Sequence, residues 1–272
     1  MMRALWTAAS GMTSQQTNVD TIANNLSNIN TAGYKTEKAE FKSLLYQNLQ
    51  SRSTNSDGTK KPVSAQVGLG VRTSAITSNF SQGTLNETGQ FMDWAIEGSG
   101  FYKIDTGEKG IMYTRNASFA LNSTGDDTVM VTTSEGYPVL DEDNNPIEIS
   151  SKDYRPTTLM VTTDGQLYAK NAEGENVPLG IKLGFAQFSN PAGLEKTGQS
   201  LYKATAASGD ALDEKDAEVK SSKVHQYYLE GSNVSAADEM VNLIVAQRAY
   251  EMNSKCISAA DTMMQQANNL RG

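Results

Sequence analysis

SAADEMVNLIVAQRAYEMNSKCISAADTMMQQANNLRG, residues 235–272, closes the chain. Ser235 supplies a hydroxyl that can cap free amides, and Asp238 stands three residues on, an arrangement that opens helices. No Gly or Pro follows until Gly272, so the stretch predicts a helix of about 35 residues, roughly 50 Å long at 1.5 Å per residue. Leu243, Ala246, Tyr250, Asn253, Ile257, Ala260, Met264 and Ala267 recur at alternating steps of three and four. That is a coiled-coil-like seam with large and small residues alternating. Val241, Ile244, Cys256, Met263 and Leu270 form a second apolar line. A helix with two such faces needs partners, supplied by the chain or by copies of itself.

The chain itself offers one at its other end. Leu5, Met12, Val19 and Leu26 stand seven apart, and Ala8, Gln15, Ile22 and Ile29 fill the companion positions. This heptad seam predicts a first helix that ends at Gly33 in Asn30-Thr31-Ala32-Gly33. Its other faces carry Gln16, Asn18, Asn24, Asn25 and Asn28, and residues 1–33 hold only two charges, Arg3 and Asp20. A solvated helix face normally carries Lys and Glu. Amides and hydroxyls without charge suit burial against other polar helix faces, and equally suit a helix that orders only on assembly. The first ten residues have a faint signal-peptide look, but the apolar stretch is too short, so the N-terminus is expected to be retained.

The net charge is −8 over 272 residues, which argues against a nucleic-acid partner, since that calls for a basic patch. The charge is uneven: residues 34–66 are net +3, residues 226–272 net −2, and residues 67–225 net −9. The middle therefore reads as the water-facing part, with ends that are not built as solvent-exposed surface. A single cysteine, Cys256, excludes an internal disulfide and is expected to be a packed thiol on the helix line. No run reaches the length of a membrane span, so the protein is expected not to be membrane-embedded.

Four segments follow. Residues 1–33 are expected as the first helix and 34–66 as a connecting arm, exposed or extended over 46–66. Residues 67–225 are expected as a β-rich domain, and 226–272 as the closing helix. Candidate strands in the middle are 71–80, 92–96, 101–105, 112–121, 128–133, 159–163, 181–188 and 200–206, separated by Gly-, Asn- and Pro-rich turns. Residues 207–225 read as a polar connector. The class is α+β: long N- and C-terminal helices pairing as a coiled-coil-like domain, with a central domain of many short strands.

A search for chemistry returns little. His225 is the only histidine and reads as a surface residue. Gly98-Ser99-Gly100 lacks a nucleophile elbow, and there is no phosphate-binding Gly-Lys-Ser/Thr loop. Asp141-Glu142-Asp143-Asn144-Asn145 imitates half a calcium loop, but Pro146 and Lys152 stand where Gly and Glu are required. The expectation is no enzyme activity, no cofactor and no metal.

Several blocks carry a resemblance. Residues Ala23 to Lys35, with Asn24, Asn25, Leu26 and Gly33, resemble the signature of bacterial flagellar rod and hook proteins. Thr84 to Gly89, Asp93 to Phe101, Tyr113 to Phe119, Phe188 to Leu194 and Gly198 to Tyr202 are similar to further blocks of that family. Leu229 to Val234, with Asn233, and the run Gln247, Arg248, Ala249, Tyr250 and Asn253 resemble its distal-rod branch most closely, although Tyr227 stands where a glycine is expected. The blocks lie in order over nearly the whole chain. The hook protein carries inserted domains and is longer; the proximal rod proteins remain an alternative, and a secreted β-domain binding protein a more distant one.

The resemblance implies a non-enzymatic subunit, exported through the flagellar type III apparatus beyond the cytoplasmic membrane into periplasm or cell wall. There it would polymerise with itself into a helical tube that passes torque to the hook. Proximal rod proteins and the hook protein would meet its ends, with ring bushing proteins around it. Seam contacts would be carried by Leu5, Met12, Val19, Ile22, Leu26 and Ile29 of the first helix and Leu243, Tyr250, Ile257 and Met264 of the last. The 46–66 arm would bridge neighbours. Glu251 and Lys255 are expected to pair along the last helix, and Arg248 to reach a neighbour's acid, to face solvent or to bond within its own chain.

Overall fold

A computed structural model describes residues 2–50, 65–107, 110–125, 127–152, 154–171, 174–214 and 221–270. Residues 51–64 of the expected arm lie outside them. The chain divides into two compact units: a helical unit of Met1–Ser27, Glu37–Ser78 and Ser235–Gly272, and a β-body of Asn28–Thr36 and Asn79–Val234.

The helical unit holds α1 (Met2–Ser27), β1 (Glu37–Ser43), β2 (Tyr46–Gln50), β3 (Ala65–Gly68), β4 (Val71–Ser78) and α2 (Ala236–Asn269). The first helix stops at Ser27, short of the expected Gly33, because Asn28, Asn30 and Thr31 favour local turns and Thr31 N–H bonds back to the Asn28 carbonyl at 3.2 Å. Its uncharged faces are explained locally. Thr13, Thr17, Thr21 and Ser27 hydroxyls each donate to the carbonyl four residues earlier, so they need no water. At the start of α2, Ser235 occupies the N-cap with extended φ −94° and ψ 114°, yet its side chain makes no capping bond. Asp238 and Glu239 in the first turn offset the positive helix end instead.

The two helices contact one another along the unit. Asn25 Nδ2 donates to Glu239 Oε2 at 3.3 Å. Near the other end, a Cβ on Gly11 would come within 2.9 Å of Asn253 Nδ2. These two levels set an antiparallel register. β1 and β4 pair antiparallel from Glu37↔Ser78 to Ser43↔Val71, with an irregularity at Glu40/Phe41, and β2 and β3 continue the ribbon. The strand at 71–78, expected in the β-rich domain, thus belongs to the helical unit, and part of the expected arm is strand.

The described residues of the β-body form sixteen strands. β5 (Leu85–Glu87), β6 (Trp94–Glu97), β7 (Phe101–Asp105), β8 (Ile111–Thr114), β9 (Phe119–Ser123), β10 (Thr128–Thr133), β11 (Glu148–Ser150) and β12 (Tyr154–Val161) come first. β13 (Gln166–Asn171), β14 (Asn176–Lys182), β15 (Phe185–Gln187), β16 (Glu195–Gly198), β17 (Leu201–Lys203), β18 (Leu212–Asp213), β19 (Lys223–Gln226) and β20 (Tyr228–Glu230) complete it. They form a six-stranded sheet β16-β17-β8-β7-β15-β18, a four-stranded sheet β19-β6-β20-β5, and the three-stranded sheets β11-β10-β9 and β12-β13-β14. The expected strand 112–121 is broken at Arg115-Asn116-Ala117 into β8 and β9. The expected connector supplies β18 and β19, so His225 is a strand residue, 2.8 Å from Glu97 Oε2.

The core of the β-body gathers Trp94, Ile96, Tyr102, Phe119, Val131 and Leu167 among others, each buried. Tyr102 and Phe119 meet edge-on with ring centroids 5.0 Å apart, a favoured aromatic geometry. The Tyr102 hydroxyl donates to the Trp94 carbonyl, so the one polar atom of that ring is satisfied. The acidic run at 141–145 is a turn closed on itself: Asp141 Oδ1 accepts from the Asp143 and Asn145 amides at 2.9 and 2.7 Å.

Candidate functional site: helix faces and a buried ionic cluster

In the helical unit, the closest approach between helices uses small and polar residues. Ala8, Ser14, Thr21, Ile22 and Asn25 are buried on α1, and Glu239, Ala246 and Ala260 on α2. Leu5, Met12, Val19 and Leu26, with Leu243, Ala249, Asn253, Ile257 and Met264, are half-buried, and Tyr250 is exposed. Ile29 lies beyond α1, in the segment that belongs to the β-body. Gln16, Val19, Gln247, Tyr250 and Glu251 line an open groove between the helices.

The second apolar line is uncovered: Val241, Ile244, Met263 and Leu270 are 60%, 56%, 52% and 90% exposed, and Met240 and Val245 beside it are 56% and 63% exposed. Cys256, expected to be packed, is exposed too, because it lies on a face turned away from α1. The expected Glu251–Lys255 pair is replaced by Arg248 Nη1 to Glu251 Oε2 at 2.8 Å, exposed on both sides and therefore worth little.

The amides of the family motif act as ties. Asn25 Oδ1 accepts from Glu37 N–H at 2.9 Å and Asn25 Nδ2 donates to Glu37 O at 2.8 Å, so the side chain pairs with that residue as a neighbouring strand would. Asn24 Nδ2 reaches the Glu37 carboxylate at 3.3 Å. In the β-body, Asn233 Oδ1 accepts from Thr36 N–H at 2.7 Å and Thr36 Oγ1 at 2.6 Å. Its Nδ2 donates to Asn79 O at 2.9 Å and to Ser81 O and Oγ at 3.1 and 3.0 Å. Gly33 has φ +68°, and a Cβ there would sit 2.8 Å from the Arg115 carbonyl. Its value is close backbone approach rather than helix termination.

Sequence reading did not find the cluster that these ties surround. Glu230, with a fully buried side chain, holds Lys35 Nζ on Oε1 at 2.7 Å and Arg115 Nη1 on Oε2 at 3.1 Å, and those two side chains are 0% and 2% exposed. Lys35 Nζ also donates to Ser81 O at 2.9 Å, Gly83 N–H donates to Glu230 Oε1 at 2.9 Å, and Arg115 Nη2 donates to Gly98 O. Arg115 stands over the Phe101 ring at 5.2 Å. Among the described residues its Nε finds no acceptor. Burial pushes both the Lys35 ammonium and the Arg115 guanidinium below their ordinary values, with Glu230 opposing the shift in each case. The only signal in the sequence is that Lys35, Arg115 and Glu230 are lone charges inside otherwise uncharged motif blocks.

None of this is a catalytic constellation. Among the described residues no group of three or more His, Cys, Asp and Glu could hold a metal ion, and no described helix is long and apolar enough to cross a membrane.

Comparison with known proteins bears on the same segments. Residues 5–35 match the family described as flagella basal body rod protein, 95–169 the flagellar hook protein FlgE/F/G D1 domain, and 225–270 the flagellar basal body rod FlgEFG protein C-terminal region. The flagellar basal-body rod protein FlgG of Borreliella burgdorferi is 44% identical, covering 100% of this chain and 99% of that one. FlgG of Agrobacterium fabrum is 40% identical over 96% and 97%, and FlgG of Bacillus subtilis 34% over the full length of both. With helices at both ends, a many-stranded body between them and full-length identity at this level, the chain belongs to the FlgG family of flagellar basal-body rod proteins.

Proposed function

We propose that the chain is the structural subunit of the distal rod, polymerising with itself into a rigid helical tube that transmits motor torque to the hook. The observation that carries this is the exposed apolar stripe near the start of α2, Met240, Val241, Ile244 and Val245. Large apolar side chains left exposed together on one helix mark an interaction surface. In this reading α1 and α2 form a coiled-coil-like inner layer, and the stripe is covered by neighbouring copies. The β-body carries the acidic excess and is the water-facing part. The 46–66 arm bridges adjacent subunits, proximal rod and hook proteins meet the tube's ends, and ring bushing proteins surround it. Export through the flagellar type III apparatus delivers the chain beyond the cytoplasmic membrane.

The test is electron microscopy of the purified protein at high concentration, beside Ile244→Asp. Tubes are expected from the parent chain and none from the variant, with helix content by circular dichroism unchanged. Tubes that persist in Ile244→Asp overturn the assignment of the stripe. In cells, Leu243→Asp and Ile257→Asp are expected to abolish swimming while the β-body stays folded.

A further inference from the structure

We propose that Glu230 is a latch that makes closure of the β-body conditional on arrival of the chain's last strand. The inference concerns folding of the β-body alone and stands independently of the assembly reading.

Lys35 and Arg115 are both buried, and Glu230 is the acid that both touch, from 195 and 115 residues away. Two cations cannot be taken out of water together without an anion, because each buried ion costs several kcal/mol of hydration. The space around them therefore stays wet until the carboxylate comes in. The same residue carries the backbone order: Gly33 N–H donates to the Glu230 carbonyl at 2.8 Å, and Gly231 N–H to Thr84 O at 2.7 Å. β20 lies inside its sheet, antiparallel to β5 from Tyr228↔Glu87 to Glu230↔Leu85 and parallel to β6 at Tyr228↔Trp94. Before β20 is seated, β5 has no strand beside it in that sheet. β19, the other neighbour of β6, comes only at Lys223–Gln226.

The first part of the β-body thus contains bonds whose two partners are present early yet lie beside the unfilled cluster. Asn79 N–H donates to Thr36 O at 2.8 Å, and Trp94 N–H to Ala117 O at 3.0 Å. Local pairs such as β7 with β8, which are neighbours in sequence, need no distant charge. Bonds of high sequence separation repay their loop-closure cost only when their rewarding contacts exist. A chain made or threaded from its N-terminus accordingly keeps residues 28–36 detached from the β-body until residue 230 is in place.

The experiment is pulse-labelling hydrogen exchange during refolding of the full chain, read on peptides by mass spectrometry. The amides of Asn79 and Trp94 are expected to gain protection no earlier than Tyr228–Glu230, and after the β7–β8 hairpin. Protection of Asn79 or Trp94 ahead of 228–230 overturns the proposal. Glu230→Gln leaves both cations without an anion and is expected to slow the protection of Asn79 by about 10-fold or more; an unchanged rate overturns it. In the uncharged triple variant Lys35→Met, Arg115→Met, Glu230→Met, Asn79 and Trp94 are expected to become protected before 228–230. A lag that persists in a folded triple variant overturns the assignment of the latch to the charges. If that variant does not fold, the order in the parent chain decides.

Discussion

Asn233→Ala is the sharpest probe of the ties in the β-body. The substitution removes acceptor and donor together, leaving Thr36 N–H, Asn79 O and Ser81 O without the partners they hold at 2.7, 2.9 and 3.1 Å. Each such bond contributes about 1 kcal/mol net. The position is only half-buried, so water re-enters and limits the penalty, which comes to about 2–3 kcal/mol for the three main-chain bonds. For a domain of this size that lowers the Tm by roughly 5–10 °C. The assay is urea unfolding followed by the fluorescence of Trp94, which is fully buried, in a Trp6→Phe background that removes the exposed second indole. Asn233→Asp is the companion: it keeps an acceptor for Thr36 but turns an oxygen towards two carbonyls, and should lose at least as much. A loss below about 1 kcal/mol in both variants would refute the reasoning, because the bonds would then be fully replaced by water.

Gly33→Ala places a Cβ 2.8 Å from the Arg115 carbonyl at φ +68°, while Gly89→Ala meets nothing within 4 Å at φ +70°. Both pay the left-handed penalty of about 1 kcal/mol, and only the first should exceed it, by about 2 kcal/mol or more; equal losses would show that the close approach is unimportant. Tyr227 has φ +71°, so Tyr227→Gly should gain about 0.5–1 kcal/mol in the same urea assay despite the extra unfolded-state entropy; a loss would mean the ring contributes more than the strain. The ammonium of Lys35 is held below its ordinary 10.5 by burial. Between its folded value and 10.5 the unfolded chain binds that proton more tightly, so this group's contribution to stability rises as pH climbs through the window. Lys35→Met lacks the proton, and the stability of the parent chain relative to the variant should therefore increase with alkaline pH; a flat difference would contradict it.

The helices were legible because a period of three and four survives whatever packs against it. The end of the first was not: Gly33 resembles a helix stop, but its positive φ serves an approach to Arg115, and that requires knowing what lies opposite. Glu37–Ser43, EKAEFKS, escaped notice as a strand because it is mostly exposed and buries chiefly Ala39, leaving little alternation to read. Cys256 reads as part of a packed line but is exposed, because apolarity shows that a face wants cover without showing which partner supplies it. Lys35, Arg115 and Glu230 look like surface charges in any local window, since only tertiary pairing makes a buried charge tolerable. Tyr227 was legible as an oddity, standing where the family pattern calls for glycine, and its left-handed backbone gives that oddity a physical meaning.

Mechanically, Asn233 is a splice. The chain passes between its two units at four places, after Ser27, Thr36, Ser78 and Val234, and one amide gathers the last three through Thr36, Asn79 and its own backbone. A pull arriving along α2 is therefore passed sideways to two further segments before it strains any one of them. Hydrogen bonds drawn together must rupture together, and under force it is the rate of rupture, not equilibrium stability, that sets endurance. In the torque-bearing subunit proposed above, one side chain that contributes only a few kcal/mol at rest thus joins three segments that would otherwise carry load singly.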